Sequence, residues 1–317
     1  EANAVAIRIA RSYLGKDNVA VCGYHGWHDW YLSANITDKN ALNNHLMSGL
    51  KTNGIPKKLK KTSFSFEFNN FNQLKEIVET KNIGIIKMEV ERDVRPKNNF
   101  LKKVRELATK KNIILIFDEC TSGFRSNFGG LHLKYNVIPD IAILGKALGN
   151  GYAINAIIGK KDIMNACKDT FVSSTFWTER IGPAAALETL KTMNRLKSWK
   201  LITQIGKEIK KNWLRLAKEN SLNIQVSGLD ALPKFVFLDQ NNNLFKTLIS
   251  QEMLKNNILA SNVVYTSVSH KRSILQKYYN VLNNTFKMIS KCKNEEENIF
   301  NYLKSAESIK GLRNKNV

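Results

Sequence analysis

Ile113-Ile114-Leu115-Ile116-Phe117-Asp118-Glu119 is the stretch on which the reading of the fold turns. Five consecutive apolar residues stop at two carboxylates. An unbroken apolar run of this length marks a strand covered on both faces, whereas alternation would mark a strand with one face in water. Other largely apolar runs flank it at 18–22, 83–88, 141–144 and 155–158. Helical patterns separate them over 71–80, with Asn69 or Asn70 placed to cap, and over 101–111. Continuous apolar strands alternating with helices predict an α/β fold with a largely parallel sheet.

Beyond Pro183 the texture changes. Helices are predicted over 184–196, 199–219, 244–255 and 270–290, short strands over 224–226 and 235–238, and a charged, helical tail over 294–308. A large domain over 1–190 and a smaller C-terminal α+β domain over 191–317 follow from that change. Glu1 opens directly onto a helical pattern with no initiator Met and no cap, so an N-terminal part is expected to be missing.

Composition narrows the function. The 317 residues are 43% hydrophobic, enough for a large core, and no apolar run is long enough to span a bilayer. Cys22, Cys120, Cys167 and Cys292 are scattered with no CxxC pair, so no metal site is expected. Single thiols and the lack of a leader pattern point to the cytoplasm. The net charge of +22 comes mostly from lysines dispersed along the chain. No nucleic-acid-binding motif organises them, so neither nucleic acid nor membrane is expected as a partner.

In open α/β sheets functional groups collect at the carboxyl ends of strands. Asp118 ends the 113–117 run. Lys146 follows the 141–144 run, in Leu144-Gly145-Lys146-Ala147. Tyr24 and His25 follow the 18–22 run, in Gly23-Tyr24-His25-Gly26-Trp27-His28-Asp29. Taken singly, each has an ordinary reading as loop, cap or rim. Together they offer a nucleophilic amine, a carboxylate and a flat aromatic ring, the set an enzyme needs to use a cofactor with an aldehyde on a pyridine ring.

The combination resembles the class III aminotransferases, in the fold type I superfamily of pyridoxal-phosphate enzymes, near the glutamate-1-semialdehyde aminomutase-like branch. The resemblance rests on Glu1-Ala2-Asn3 with the helix after it, Tyr24-His25-Gly26-Trp27-His28-Asp29, and Phe117-Asp118-Glu119-Cys120-Thr121-Ser122-Gly123-Phe124-Arg125. Pro139-Asp140 with Leu144-Gly145-Lys146-Ala147, and 174–183 with Thr175, Thr178 and Pro183, complete it. It covers nearly the whole chain. It implies pyridoxal 5'-phosphate as cofactor, with Lys146 as the Schiff-base lysine, Asp118 as partner of the pyridine nitrogen and Tyr24 stacked on the ring. Thr178, or failing it Thr175, would reach the phosphate of a neighbouring subunit in a homodimer. Thr121 stands where relatives often carry Gln or Met beside the cofactor. Glu1 follows directly on the place of the relatives' phosphate-binding turn, at the start of a helix. Weak cofactor binding is expected if that turn is absent. Glu89 resembles the start of the family's Glu-Pro motif, but Val90 replaces the proline.

The resemblance thus implies an aminotransferase acting on a small-molecule amino donor and a carbonyl acceptor, tilted towards sugar or glycan metabolism. Glutamate-1-semialdehyde 2,1-aminomutase activity and a catalytically inactive fragment of the same fold are the alternatives.

Overall fold

The computed structural model describes residues 1–45 and 47–308. The described residues divide into two compact units, Glu1–Leu196 and 197–308. In the first unit α1 (Ala2–Leu14) leads into β1 (Asn18–Cys22), followed by the single turns α2 (Asp29–Leu32) and α3 (Ala34–Thr37). Next come β2 (Ser63–Ser65), α4 (Phe71–Thr80), β3 (Ile83–Glu89), α5 (Phe100–Lys110), β4 (Ile114–Glu119), β5 (Ile141–Leu144) and β6 (Ala156–Gly159). The unit closes with α6 (Lys161–Asn165) and α7 (Ile181–Leu196).

The strands form one sheet in the order β2-β1-β3-β4-β5-β6, parallel except for the antiparallel β6. Why the apolar runs are continuous is plain from their burial. Val19, Val21, Ile85, Ile114, Ile116, Ile141 and Ile143 share one core with Ala6, Ile7, Ile9 and Ala10 of α1. The alternate residues Ala20, Ile86, Met88, Leu115 and Phe117 are buried as well, and α4 and α5 pack against β1, β3 and β4. Local signals agree with the packing. Asn70 caps α4 by accepting the Gln73 N–H at 3.1 Å. Gly15, at φ 63°, closes α1 through the Arg11 carbonyl. At the amino ends of β4 and β5, Asp140 accepts from the Leu115 N–H (2.8 Å), Arg105 (2.8 Å) and Lys160 (2.6 Å).

The second unit contains α8 (Ser198–Glu219), the antiparallel pair β7 (Ile224–Ser227) and β8 (Lys234–Phe237), α9 (Asn242–Lys255) and α10 (Arg272–Lys293). Its core gathers Trp213, Phe235, Phe237, Phe245, Leu282 and Phe286. The indole N–H of the fully buried Trp213 donates to the Tyr278 hydroxyl at 2.8 Å, so burial leaves it satisfied.

Two expectations need amending. The tail over 294–308 is not an α-helix. Its only helical turn among the described residues is the 3-10 turn Ile299–Asn301, and Glu295 sits in the left-handed region at φ 62°. Three successive glutamates, Glu295 to Glu297, follow the carboxyl end of α10, where the helix dipole disfavours negative charge. The tail instead bonds to α9, Lys304 N–H to Gln251 at 2.7 Å and Ser308 N–H to Thr247 at 2.8 Å. The three-residue strand β2 was not anticipated. Only the pairing of Ser63 to Ser65 with Val19 to Val21 reveals it.

Two features of the packing are open to test. In α8, a Cβ on Gly206 would lie 1.5 Å from the Asp230 carbonyl oxygen, so the helix and that backbone touch directly. Gly206→Ala is expected to destabilise the second unit by about 2 kcal/mol or more, read as a lower urea midpoint. In the first unit the Gly23 N–H donates to His45 Nδ1 at 2.9 Å, which requires that nitrogen to be bare. Burial first, then the neighbouring His25, push His45 down to about 4. Between pH 6.5 and 4 the unfolded chain therefore takes up a proton that the folded chain refuses, and stability falls as pH drops through that window by up to roughly 3 kcal/mol. His45→Gln should lose less stability between pH 7 and pH 4.5 than the parent does. Equal losses would remove His45 from the account.

Candidate active site

Strands β1, β3, β4 and β5 end on one edge of the sheet, and the residues that carry chemistry stand there. Side chains alternate along a strand, so Asp118 and Glu119, neighbours in sequence, leave β4 on opposite faces. In register, Asp118 lies beside Glu89 of β3 and Ile143 of β5. It is therefore on the face covered by α1.

Asp118 is almost wholly buried and its carboxylate is fully engaged. Oδ1 accepts the Cys120 N–H at 3.1 Å. Oδ2 lies 2.9 Å from His25 Nδ1 and 3.7 Å from the Lys87 ammonium nitrogen. Burial alone raises a carboxylate's proton affinity. Here Lys87, His25 and the Cys120 amide outweigh it and hold Asp118 far below the usual range. His25 is itself fixed at its other end, with Nε2 3.1 Å from the Cys22 carbonyl. Trp30 stacks near it and Tyr31 meets it edge-on, with centroids 6.2 and 5.5 Å away.

Lys146 begins a 3-10 turn immediately beyond β5 and adopts φ 44°, a left-handed conformation uncommon for a residue with a side chain. The turn is pinned by its neighbour. A Cβ on Gly145 would fall 2.1 Å from Asn155 Oδ1 and 3.3 Å from Cys120 Sγ, so a larger residue there would have to displace the Asn155 side chain. The Lys146 amine donates to the Thr121 hydroxyl at 2.6 Å. Thr121 is buried, and its carbonyl accepts Arg125 Nε at 2.7 Å. The structure thus brings Lys146 to Thr121, three residues beyond Asp118.

Tyr24 is half-buried, edge-on to Tyr31 at 6.2 Å, and its N–H donates to Glu89 at 3.2 Å. Glu89 in turn pairs with Arg92 at 2.8 Å. Burial raises the Glu89 carboxyl's proton affinity, and Arg92 opposes it. Glu1 is exposed, and its carbonyl accepts the Ala4 and Val5 amides at the start of α1. That helix end lies beside the Tyr24–His25 turn, since Asn3 Nδ2 donates to the His25 carbonyl at 3.2 Å. Thr175 and Thr178 are exposed in the turn 175–178, which also exposes Phe176 and Trp177. No hydrogen bond joins Thr178 to Asp118 or Lys146. Next to this edge, at β1, which has β2 on one side and β3 on the other, a cleft of mixed character is lined by Gly23, His45, Phe68, Glu89, Arg92 and Val94. Such a divergence of strands is where ligands enter open α/β sheets.

Glu119 faces the other way and is an architectural anchor. Its carboxylate accepts from the Leu131 N–H, from the His132 N–H at 2.9 Å, from Ser122 at 3.0 Å and from the His132 ring at 2.5 Å. The segment after β4 is thereby folded back on the strand, which holds Cys120 and Thr121 in place.

Two members of the cluster were not singled out from the sequence. His25 was read only as part of the Tyr24 motif. Lys87 stands inside the apolar 83–88 run, where a lysine among buried strand residues demands a counter-charge, and that demand is the signal the sequence holds.

Comparison with known proteins bears on this geometry. The family profile described as aminotransferase class-III matches residues 1–255. The 3-aminobutyryl-CoA aminotransferase of Cloacimonas acidaminovorans is 32% identical over 270 residues, covering 81% of this chain and 61% of that protein. The glutamate-1-semialdehyde 2,1-aminomutase of Methanobrevibacter smithii is 32% identical over 248 residues, covering 75% of this chain and 57% of that protein. The chain thus spans about three fifths of the length of these curated relatives. Among solved structures, an omega-transaminase from Sphaerobacter thermophilus superposes with a TM-score of 0.79, at 18% identity, over 90% of this chain and 71% of that one. The FumI protein of Sphingopyxis sp. MTA144 does so with the same TM-score and identity, over 92% of this chain and 70% of that one. At that identity the likeness establishes the fold, which is fold type I of the transaminases. With the profile matched over most of its length, the chain belongs to the class III aminotransferase family.

Proposed function

We propose that this chain carries the catalytic face of an aminotransferase that uses pyridoxal 5'-phosphate to pass an amino group from a small-molecule donor to a carbonyl acceptor. The observation that carries the reading is Asp118, a buried carboxylate kept ionised by three neighbours at the carboxyl end of β4, with the Lys146 amine beyond the adjacent strand. The donor set fits the cofactor: one permanent negative charge for a ring nitrogen and one primary amine for an aldehyde. When bound, pyridoxal 5'-phosphate supplies an aldehyde that condenses with amines and a protonated ring that draws electrons from the substrate carbon.

The residues divide the work. Asp118 holds a proton on the ring nitrogen, because its own proton affinity is too low to take that proton away. The Lys146 amine would hold the cofactor by its aldehyde, and the free amine is the group here that would take up or release the transferred proton. The Thr121 hydroxyl keeps the lysine amine at the site between these duties. Tyr24 covers the ring. Glu1 and the first turn of α1 belong to the phosphate end. Thr178, exposed and unattached to the other groups, is assigned to the site of a second copy, which makes the working form a homodimer. Four free cysteines support a cytoplasmic setting, and no helix among the described residues is long and apolar enough to cross a membrane.

The test is a visible absorbance spectrum of the protein with pyridoxal 5'-phosphate, before and after borohydride, followed by identification of the labelled peptide. A band discharged by borohydride with the label on Lys146 is expected, and candidate amino donors then separate transfer between two molecules from the intramolecular transfer named for the Methanobrevibacter relative. Absence of label on Lys146 even with pyridoxal 5'-phosphate in large excess would sink the cofactor reading and leave an inactive chain of the same fold. Lys146→Ala should lose both label and turnover while keeping its circular dichroism spectrum. Asp118→Asn should retain the label but lower turnover by roughly 10³-fold, the scale on which catalysis loses a buried electrostatic partner. Near-normal turnover in Asp118→Asn would mean that the ring is not held there.

A further inference from the structure

Lys87 is a lysine with no accessible surface, in the interior of a parallel strand. Its ammonium nitrogen has no hydrogen-bond partner among the described residues and stands 3.7 Å from Asp118 Oδ2, too far for a direct bond and close enough for strong charge coupling. A lysine is rarely buried without a partner, and burying one is costly. The proposed reaction assigns it nothing.

The groups around it are few. Asp118 faces it from β4, Glu89 from its own strand, Cys120 from the turn beyond β4, and His25 from the turn beyond β1. His45 is an electrostatic neighbour of His25. The buried face of α1, made of Ala6, Ile7, Ile9 and Ala10, adds no charge. Glu89 is already paired with Arg92. Among the described residues Asp118 is therefore the one carboxylate left to balance Lys87; burial lowers the lysine's proton affinity, and Asp118 is first among the neighbours that oppose this.

His25 makes the arrangement informative. Acceptors lie at both of its ring nitrogens, Asp118 Oδ2 at 2.9 Å and the Cys22 carbonyl at 3.1 Å. That setting suits a doubly protonated imidazolium. Burial, and after it the charge of Lys87, hold His25 below its usual range instead. Two bases thus contend to be the cation beside one carboxylate.

We propose that Lys87 is a positioning residue that supplies the positive charge beside Asp118, keeps His25 a neutral donor, and sets how much of the carboxylate's charge is left for a ring nitrogen. The last clause rests on the aminotransferase reading, while the first two concern the protein alone. When a second cationic group, a protonated ring nitrogen, is held at Asp118, the charge of Lys87 would weaken the pull of the carboxylate on that proton.

The experiment is a pH titration by NMR of the chain without added cofactor, with isotope-labelled lysine and histidine. The Lys87 signal is expected to be that of a charged ammonium near neutral pH. Lys87→Met is expected to make His25 at least about tenfold easier to protonate, moving its midpoint up by about one pH unit or more. The midpoint of His270, in the other unit, serves as an unmoved control. A purely structural role for Lys87 would alter stability without moving the His25 midpoint. A neutral Lys87 near pH 7, or a His25 midpoint the same with and without it, overturns the proposal. Should Lys87→Met fail to fold, the Lys87 signal of the parent chain decides alone. Borohydride labelling run in parallel separates the two readings. Label on Lys146 with an unmoved His25 sinks the role of Lys87 only. A shifted His25 with no label on Lys146 supports that charge arrangement and sinks the aminotransferase reading.

Discussion

A carboxylate taken out of water stays charged only if its neighbours make it so. Asp118 is in that position, and much of the first unit is arranged around the consequence. The parallel register of β3 and β4 brings Lys87 within 3.7 Å of it. The turn after β1 doubles back so that His25 bonds the carboxylate with one nitrogen and meets the Cys22 carbonyl with the other. The turn after β4 contributes the Cys120 amide. A charge built from three separated segments exists only in the folded chain, and the fold is what makes it available to a ligand.

The pair Asp118-Glu119 shows how adjacent residues of one chemical type are given different work. Strand pleating sends Asp118 to the face of α1 and Glu119 to the other. Asp118 meets side chains whose protons can be redistributed. Glu119 spends its oxygens chiefly on the amides and hydroxyl of the segment that returns to it. That return places Thr121, whose hydroxyl takes the Lys146 amine. The chemical residue and the architectural residue depend on each other through two residues of chain.

Much of the architecture was legible in the sequence, because doubly covered strands cannot tolerate polar residues except where something pairs with them. The runs at 113–117 and 141–144 announced β4 and β5 for that reason, and the places of Asp118 and Lys146 followed from strand ends. Other features were not local. β2 is three residues long and depends on its partner strand rather than on its own composition. The tail after α10 carries enough charge to look helical, but lies where a helix dipole repels its glutamates. Lys87 is readable in principle, since the surrounding apolar run makes its charge an anomaly, but its partner lies 31 positions away, diagonally across the β3–β4 pair, and only the folded sheet brings it near. Thr178 stands apart from the other groups of this chain, and its assignment rests on resemblance.

The sheet's two margins have a bearing on how the protein behaves in a crowded solution. One margin is β2, three residues long, and the other is β6, four residues and reversed in direction relative to the rest. Exposed strand margins are templates on which other chains polymerise, and length and regularity make them dangerous. The long, highly apolar segments of this chain, β3 and β4, are both interior to the sheet, while its margins offer only a few residues to an incoming strand. The sequences best suited to form fibrils are thereby the ones that the native sheet keeps out of reach.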